Sequence, residues 1–124
     1  MSIMQPKGQL IELNGVEHRL LFTLAAVDEV QDHYDEAMID VLGRLRDDRA
    51  VISTTGYIMT VLLNDEAART GGQPVTEEEV KRMISIETLE DCVRTILQAY
   101  GLSVPELEDD DPNPESRSNS TLPG

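Results

Sequence analysis

A chain of 124 residues with 24 acidic against 10 basic side chains carries a formal net charge of -14. That length supports one domain around one modest core, and that charge argues against nucleic acid and anionic membrane as partners, because binding phosphates requires Lys or Arg to displace their counterions. The single cysteine, Cys92, excludes an internal disulfide framework and suits a reducing cytoplasm. The start, MSIMQPKGQL, lacks the basic run and long apolar stretch of a signal peptide. No window approaches the roughly 20 apolar residues of a membrane span, so the expectation is a soluble protein made where it acts.

In QLIELNGVEHRLLF, Gln9 to Phe22, the Asn14-Gly15 pair supplies the two positive φ angles of a type I′ turn and predicts a β-hairpin. The register then sets Leu13 against Val16 and Ile11 against His18. Ile11, Leu13, Val16, His18, Leu20 and Phe22 share one face, and Leu10, Glu12, Glu17, Arg19 and Leu21 the other. Glu12 opposite Glu17 is a like-charge pair that costs roughly a few tenths of a kcal/mol. A two-stranded hairpin is marginal alone in water, so the helices that follow must cover its apolar face.

Thr23 is the predicted N-cap of a helical run in which Leu24, Val27, Val30, Tyr34, Met38, Val41 and Leu45 recur at steps of three and four, ending near Arg46. The pattern leaves open whether this run is continuous or breaks near Asp35, a candidate second N-cap. Arg46 to Ser53 reads as a loop, and Ser53 or Thr54 starts a second helix that Gly71-Gly72 closes. In its first half Tyr57, Ile58, Met59, Val61, Leu62 and Leu63 wrap nearly the whole circumference. Such a helix is either the central one of a bundle, the simpler reading, or has a face reserved for a partner.

TEEE, Thr76 to Glu79, is a capping box that opens a short helix carrying Val80, Met83 and Ile84. The last helix, Thr88 to Tyr100, holds Leu89, Cys92, Val93, Ile96, Leu97 and Tyr100 on one stripe and stops at Gly101. Cys92 there is a small core residue. After Pro105 the chain turns acidic and rich in Pro, Ser and Asn, with too little apolar surface to offset the entropy of ordering. The predicted organisation is a globular domain, 1–104, and a disordered tail, 105–124. Only six of the 24 acids lie beyond Pro105, so the acidity belongs to the whole molecule. The fold class is α+β and mostly α: an N-terminal β-hairpin followed by a small helical bundle and a disordered acidic C-terminal tail.

The two histidines, His18 and His33, stand without a Cys or second His at ligand spacing, so no metal site is expected. His33, beside Asp32 and Asp35, reads as part of a solvated helix face. EDDDPNPE, Glu108 to Glu115, lacks the spaced ligands, turn Gly and final Glu of an EF-hand loop. Neither a phosphate-cradling Gly loop nor a Ser-centred elbow appears, and Glu78 and Glu79, adjacent on a helix, point apart. The expectation is a protein that is not an enzyme, with no catalytic residues, no cofactor and no metal.

The order of these elements resembles the tail assembly chaperones of long-tailed bacteriophages and related gene transfer agents. The residues that carry the likeness are LLFTL, Leu20 to Leu24, stepping from strand into first helix, and PVTEEEV, Pro74 to Val80, introducing the later helices. The likeness spans roughly Leu10 to Tyr100 and rests on hydrophobic patterns and caps. It implies a non-catalytic protein of the host bacterial cytoplasm, not expected in the mature virion, that binds and solubilises the tape measure protein while the tail tube polymerises. It also implies a longer form, made by ribosomal frameshift, whose extension recruits the tail tube protein; this chain resembles the shorter product.

A holding chaperone needs apolar surface to offer its client and charge enough to stay soluble. Ile58, Met59, Leu62 and Leu63 are the candidate partner-binding residues, Met being adaptable to varied partners. The hairpin caps the open end of the bundle, and its free edge is available for self-association or a partner strand. Two readings from other classes remain beside this one. The first is a small structural neck or tail-completion protein of the virion, and the second an acidic inhibitor or regulatory protein whose charge carries its affinity.

Overall fold

The computed structural model describes residues 8–102, and the predicted tail, 105–124, lies outside the described residues. An antiparallel hairpin of β1 (Gln9–Leu13) and β2 (Val16–Leu20) leads into helices α1 (Leu24–Tyr34), α2 (Met38–Gly43), α3 (Val51–Thr70), α4 (Glu77–Met83) and α5 (Ile86–Ala99), with a 3-10 turn at Arg44–Arg46. The fold is α+β and mostly α. Among the described residues no helix is long and apolar enough to cross a membrane.

Asn14 and Gly15 take φ values of 54° and 79°, the pair of left-handed residues that a type I′ turn demands. Leu13 pairs with Val16, Glu12 with Glu17 and Ile11 with His18, as the turn dictates. On the inward face Leu13 and Leu20 are buried, whereas Val16 is exposed. Just past β2, Phe22 meets Tyr100 edge-on with ring centroids 5.4 Å apart. The polar half of the docking is Glu66 of α3. Its Oε1 lies 2.9 Å from His18 Nδ1, and its Oε2 accepts from the Arg19 amide at 3.0 Å.

Thr23 caps α1, its Oγ1 accepting from the Ala26 amide at 3.1 Å. The helical run breaks where Asp35 turns left-handed, φ 54°, and its amide reaches back to the Gln31 carbonyl. Asp35 is therefore a C-cap, and the N-cap position of α2 falls to Ala37, which offers no side-chain bond. Gln31 substitutes from the preceding helix, its Oε1 accepting from the Met38 amide at 2.8 Å, which satisfies one of the donors left open at a helix start. The break lets Met38, Val41, Leu42 and Leu45 join Ala26 and Val30 in one core. Leu24, expected on the inward stripe, is 88% exposed; the stripe begins at Ala26.

α3 begins before the Ser53 or Thr54 start read from sequence, because the Asp47 carbonyl accepts from the Ala50 and Val51 amides and the turn runs straight into the helix. It packs against α1, α4, α5, β2 and the 3-10 turn, which makes it the central helix. Past its end the chain is held by Asn64, which donates to the Val75 carbonyl at 2.9 Å and accepts from the Val75 amide at 2.7 Å. The Thr76 capping box forms as predicted, with Glu79 Oε1 accepting from the Thr76 amide and Thr76 Oγ1 from the Glu79 amide. A second box, between Ser85 and Thr88, starts α5 two residues earlier than the pattern suggested. Cys92 is buried in α5, and burial, with the Asp91 carboxylate adding to it, pushes its thiol up to about 11. It is a protonated core residue at neutral pH.

Partial burial works to raise the Glu66 carboxyl, but the Arg19 amide and His18 outweigh it and hold the group below the usual carboxylate value. A group depressed in the folded state contributes stability that is present above its unfolded value and is lost as pH falls through the folded one. Glu66→Gln is expected to be less stable than wild type at pH 7, with the difference closing as pH falls from about 5 towards 2. Urea unfolding across that range checks it, and a difference that does not change with pH would remove Glu66 from the docking of the hairpin.

A candidate binding groove beside the central helix

The four residues proposed from sequence as a partner face are all inside the protein: Ile58, Met59 and Leu62 are 0% exposed and Leu63 4%. α3 is surrounded on every side over this stretch, so its apolar circumference is core, and the partner face read from sequence is corrected accordingly. Tyr57, the sixth member of the apolar set, is half-buried and stacks on His33, centroids 3.9 Å apart and planes 16° from parallel. His33 is exposed as expected, yet its ring covers Tyr57. Tyr34 meets Tyr57 edge-on at 5.6 Å, and the Arg44 guanidinium lies 4.8 Å over Tyr34 while binding Glu36 at 3.1 Å. Burial pushes the Tyr57 hydroxyl up, and the nearby Glu29 carboxylate adds to the effect.

The opening in the surface lies elsewhere, at the first turns of α3. A cavity of about 120 Å³ is walled on one side by Ile52, Thr55 and Gly56. On the other side stand Lys81, Ile84, Ser85, Ile86 and Leu89, from the end of α4 through the first turn of α5. The α4–α5 joint builds this wall. With Ser85 as N-cap, Ile84 and Leu89 occupy the two positions of a hydrophobic staple, one before the cap and one in the second turn. Ile86, first residue of the helix, is left 77% exposed at the rim, facing Ile52 at 54%.

Gly56 shapes the floor. A Cβ at this position would meet Lys81 Cε at 2.8 Å and Cγ at 3.0 Å, so the lysine stem lies directly on the helix. Its amine sits 3.5 Å from Glu77 Oε2 at the outer edge, an arrangement in which the methylenes cover apolar surface and the charge stays wet. Thr55 is 0% exposed, and its Oγ1 has no hydrogen-bond partner among the described residues. Thr60, Thr70 and Thr95, by contrast, each donate to the carbonyl four residues back, at 2.7, 2.9 and 2.7 Å. Apart from Thr55, Ser85 and the Lys81 amine the lining is aliphatic, a surface suited to covering an apolar group. An engineered core cavity of about 150 Å³ binds benzene, so the space matches one Leu- or Met-sized side chain.

The fold and groove define an acidic, mostly helical protein with a docked hairpin and an apolar recess bordered by exposed isoleucines. No family model, no curated protein and no solved structure matches the chain.

Sequence reasoning missed the groove because its two rim isoleucines fell outside the helices that the pattern drew. Ile52 lay in the supposed 46–53 loop, and Ile86 lay before the predicted start of the last helix. The available signal was Ile84-Ser-Ile-Glu-Thr88-Leu89, a capping box with its staple in which Thr replaces the usual Glu or Gln.

Leu62→Ala is expected to cost about 2–5 kcal/mol in urea unfolding, the range for emptying a buried leucine site, and Leu62→Asp to abolish the cooperative transition. A folded, near-native Leu62→Asp protein would restore Leu62 as a surface residue. Thr55→Val keeps the volume and removes an unpartnered buried hydroxyl, whose cost is about 1–3 kcal/mol. Its Tm should rise by several degrees, at about 4–8 °C per kcal/mol for a domain of this size; a lower Tm would mean that the hydroxyl has a partner.

Proposed function

We propose that this protein is a tail assembly chaperone: a non-catalytic holding protein of the host bacterial cytoplasm that binds the tape measure protein, keeps it soluble while the tail tube assembles, and is left out of the finished virion. The observation that carries the reading is an open apolar groove, bordered by exposed Ile52 and Ile86, on a body of net charge -14. A long helical client exposes apolar side chains at spacings of three and four residues, and a recess of this kind shelters one of them. The surplus of carboxylates keeps the complex dissolved. The resemblance in LLFTL and PVTEEEV supplies the identity of the client. A longer, frameshifted form would add recruitment of the tail tube protein.

Coexpression with a long helical, tape-measure-like protein from the genome that encodes this chain tests the proposal. The expected result is that this long helical protein becomes soluble and copurifies, and that purified particles lack this chain. A candidate client that stays insoluble, a genome that encodes none, or this protein found in finished virions would overturn the reading.

A further inference from the structure

The groove also has a chemistry that narrows what enters it. We propose that the recess between α3 and the α4–α5 joint seats one aliphatic side chain from a neutral or basic amphipathic helix, held between Ile52 and Ile86; this rests on the chaperone reading and names the class of client segment that the site takes.

Two observations carry it. The volume, about 120 Å³, suits a single large aliphatic side chain and excludes a pair. The second is charge. The whole chain carries -14, the Lys81 amine that lines the recess is offset by Glu77 at 3.5 Å, and the exposed Glu87 follows Ile86 directly. An acidic helix approaching this rim meets like charge, which costs association rate and affinity, while a neutral or basic one is drawn in. Over Gly56 the cover is the unbranched, partly exposed stem of Lys81 and not backbone.

The test uses the full chain with its isoleucine methyl groups labelled with carbon-13, and two synthetic 20-residue helices of identical leucine pattern, one with lysine and one with glutamate on the polar face. The expected result is that the Leu/Lys peptide shifts the methyl signals of Ile52, Ile84 and Ile86 and that the Leu/Glu peptide does not. Ile52→Asp and Ile86→Asp change residues that are already exposed, so both should keep the wild-type melting curve while weakening the Leu/Lys peptide at least tenfold. Each substitution adds a negative charge. Were the attraction one of bulk charge alone, both would strengthen binding instead, and strengthened or unchanged binding overturns the proposal. A free protein that is dimeric, and that Ile86→Asp makes monomeric, also overturns it, because the occupant is then a second copy.

Coexpression separates this inference from the reading beneath it. If wild type and Ile86→Asp solubilise the tape measure protein equally, the groove is not the client site and this inference fails, while the chaperone reading then stands on the solubilisation itself and no longer on the groove. If wild type does not solubilise it, the chaperone reading fails, and the peptide titration alone decides what the groove takes.

Discussion

The need to surround α3 organises the molecule. From Thr54 to Leu63 the helix buries Thr54, Thr55, Gly56, Ile58, Met59, Val61, Leu62 and Leu63, and each large apolar side chain among them contributes about 1.5–3 kcal/mol when withdrawn from water. No single partner can cover so wide an arc, so α1, α4, α5, β2 and the 3-10 turn each take a share. The hairpin, marginal on its own, exists as a folded element because Leu13 and Leu20 complete this enclosure and Glu66 fastens it from the second half of the same helix. Enclosure is thinnest over Gly56. A glycine inside a helix costs roughly 0.5–1 kcal/mol relative to alanine, and here it admits the stem of Lys81 against the helix. The groove is the place where a flexible methylene chain covers the central helix.

Polar groups act at the joints. Gln31 spans the α1–α2 break, Asn64 holds Val75, and the two capping boxes begin α4 and α5. Each satisfies amides or carbonyls that a helix end or loop would otherwise leave open. The ion pairs along α4 and α5, such as Glu78 with Arg82 and Asp91 with Arg94, lie on exposed faces where each contributes a few tenths of a kcal/mol at about physiological salt. They leave a surplus of carboxylate over the surface, so the same residues that stabilise helices weakly set the sign of the field that any partner meets.

What could be read from sequence was what local chemistry decides. Asn14-Gly15 sets the turn type and with it the register of the hairpin, and Thr23 and Thr76 cap helices through bonds spanning three residues. Asp35 was harder: a left-handed conformation in a residue other than glycine leaves no pattern, since periodicity runs on through Met38 and Val41. The start of α3 depends on Asp47 carbonyl bonds in a turn without a side-chain cap, and Leu24 fits the stripe by spacing yet lies at the first turn, where the helix has not yet met the core. The partner face failed for a related reason. A helix apolar all round gives no phase from which to pick a face, and the simpler reading of a central helix is the one that the structure has. The groove joins residues 52–56 to 81–89, a pairing that only the packing of α4 and α5 on α3 creates.

One such groove, if it seats a helix as proposed, would hold it weakly. Ile86 and Ile52, exposed at 77% and 54%, together with a single anchor side chain, contribute on the order of 1.5–3 kcal/mol each at full burial, against a cost of association of about 4–15 kcal/mol. Under the proposed function that weakness fits the task. A long helical client repeats its apolar pattern, so many copies can bind along it, and where copies are joined to one another or to a common partner the second contact is made at high effective concentration. Each bound copy brings its own -14, which limits crowding between neighbours and keeps the assembly dissolved. On that reading a tight groove would trap the client, whereas a shallow one would release each copy when a growing tube offers the client more apolar surface than this protein does.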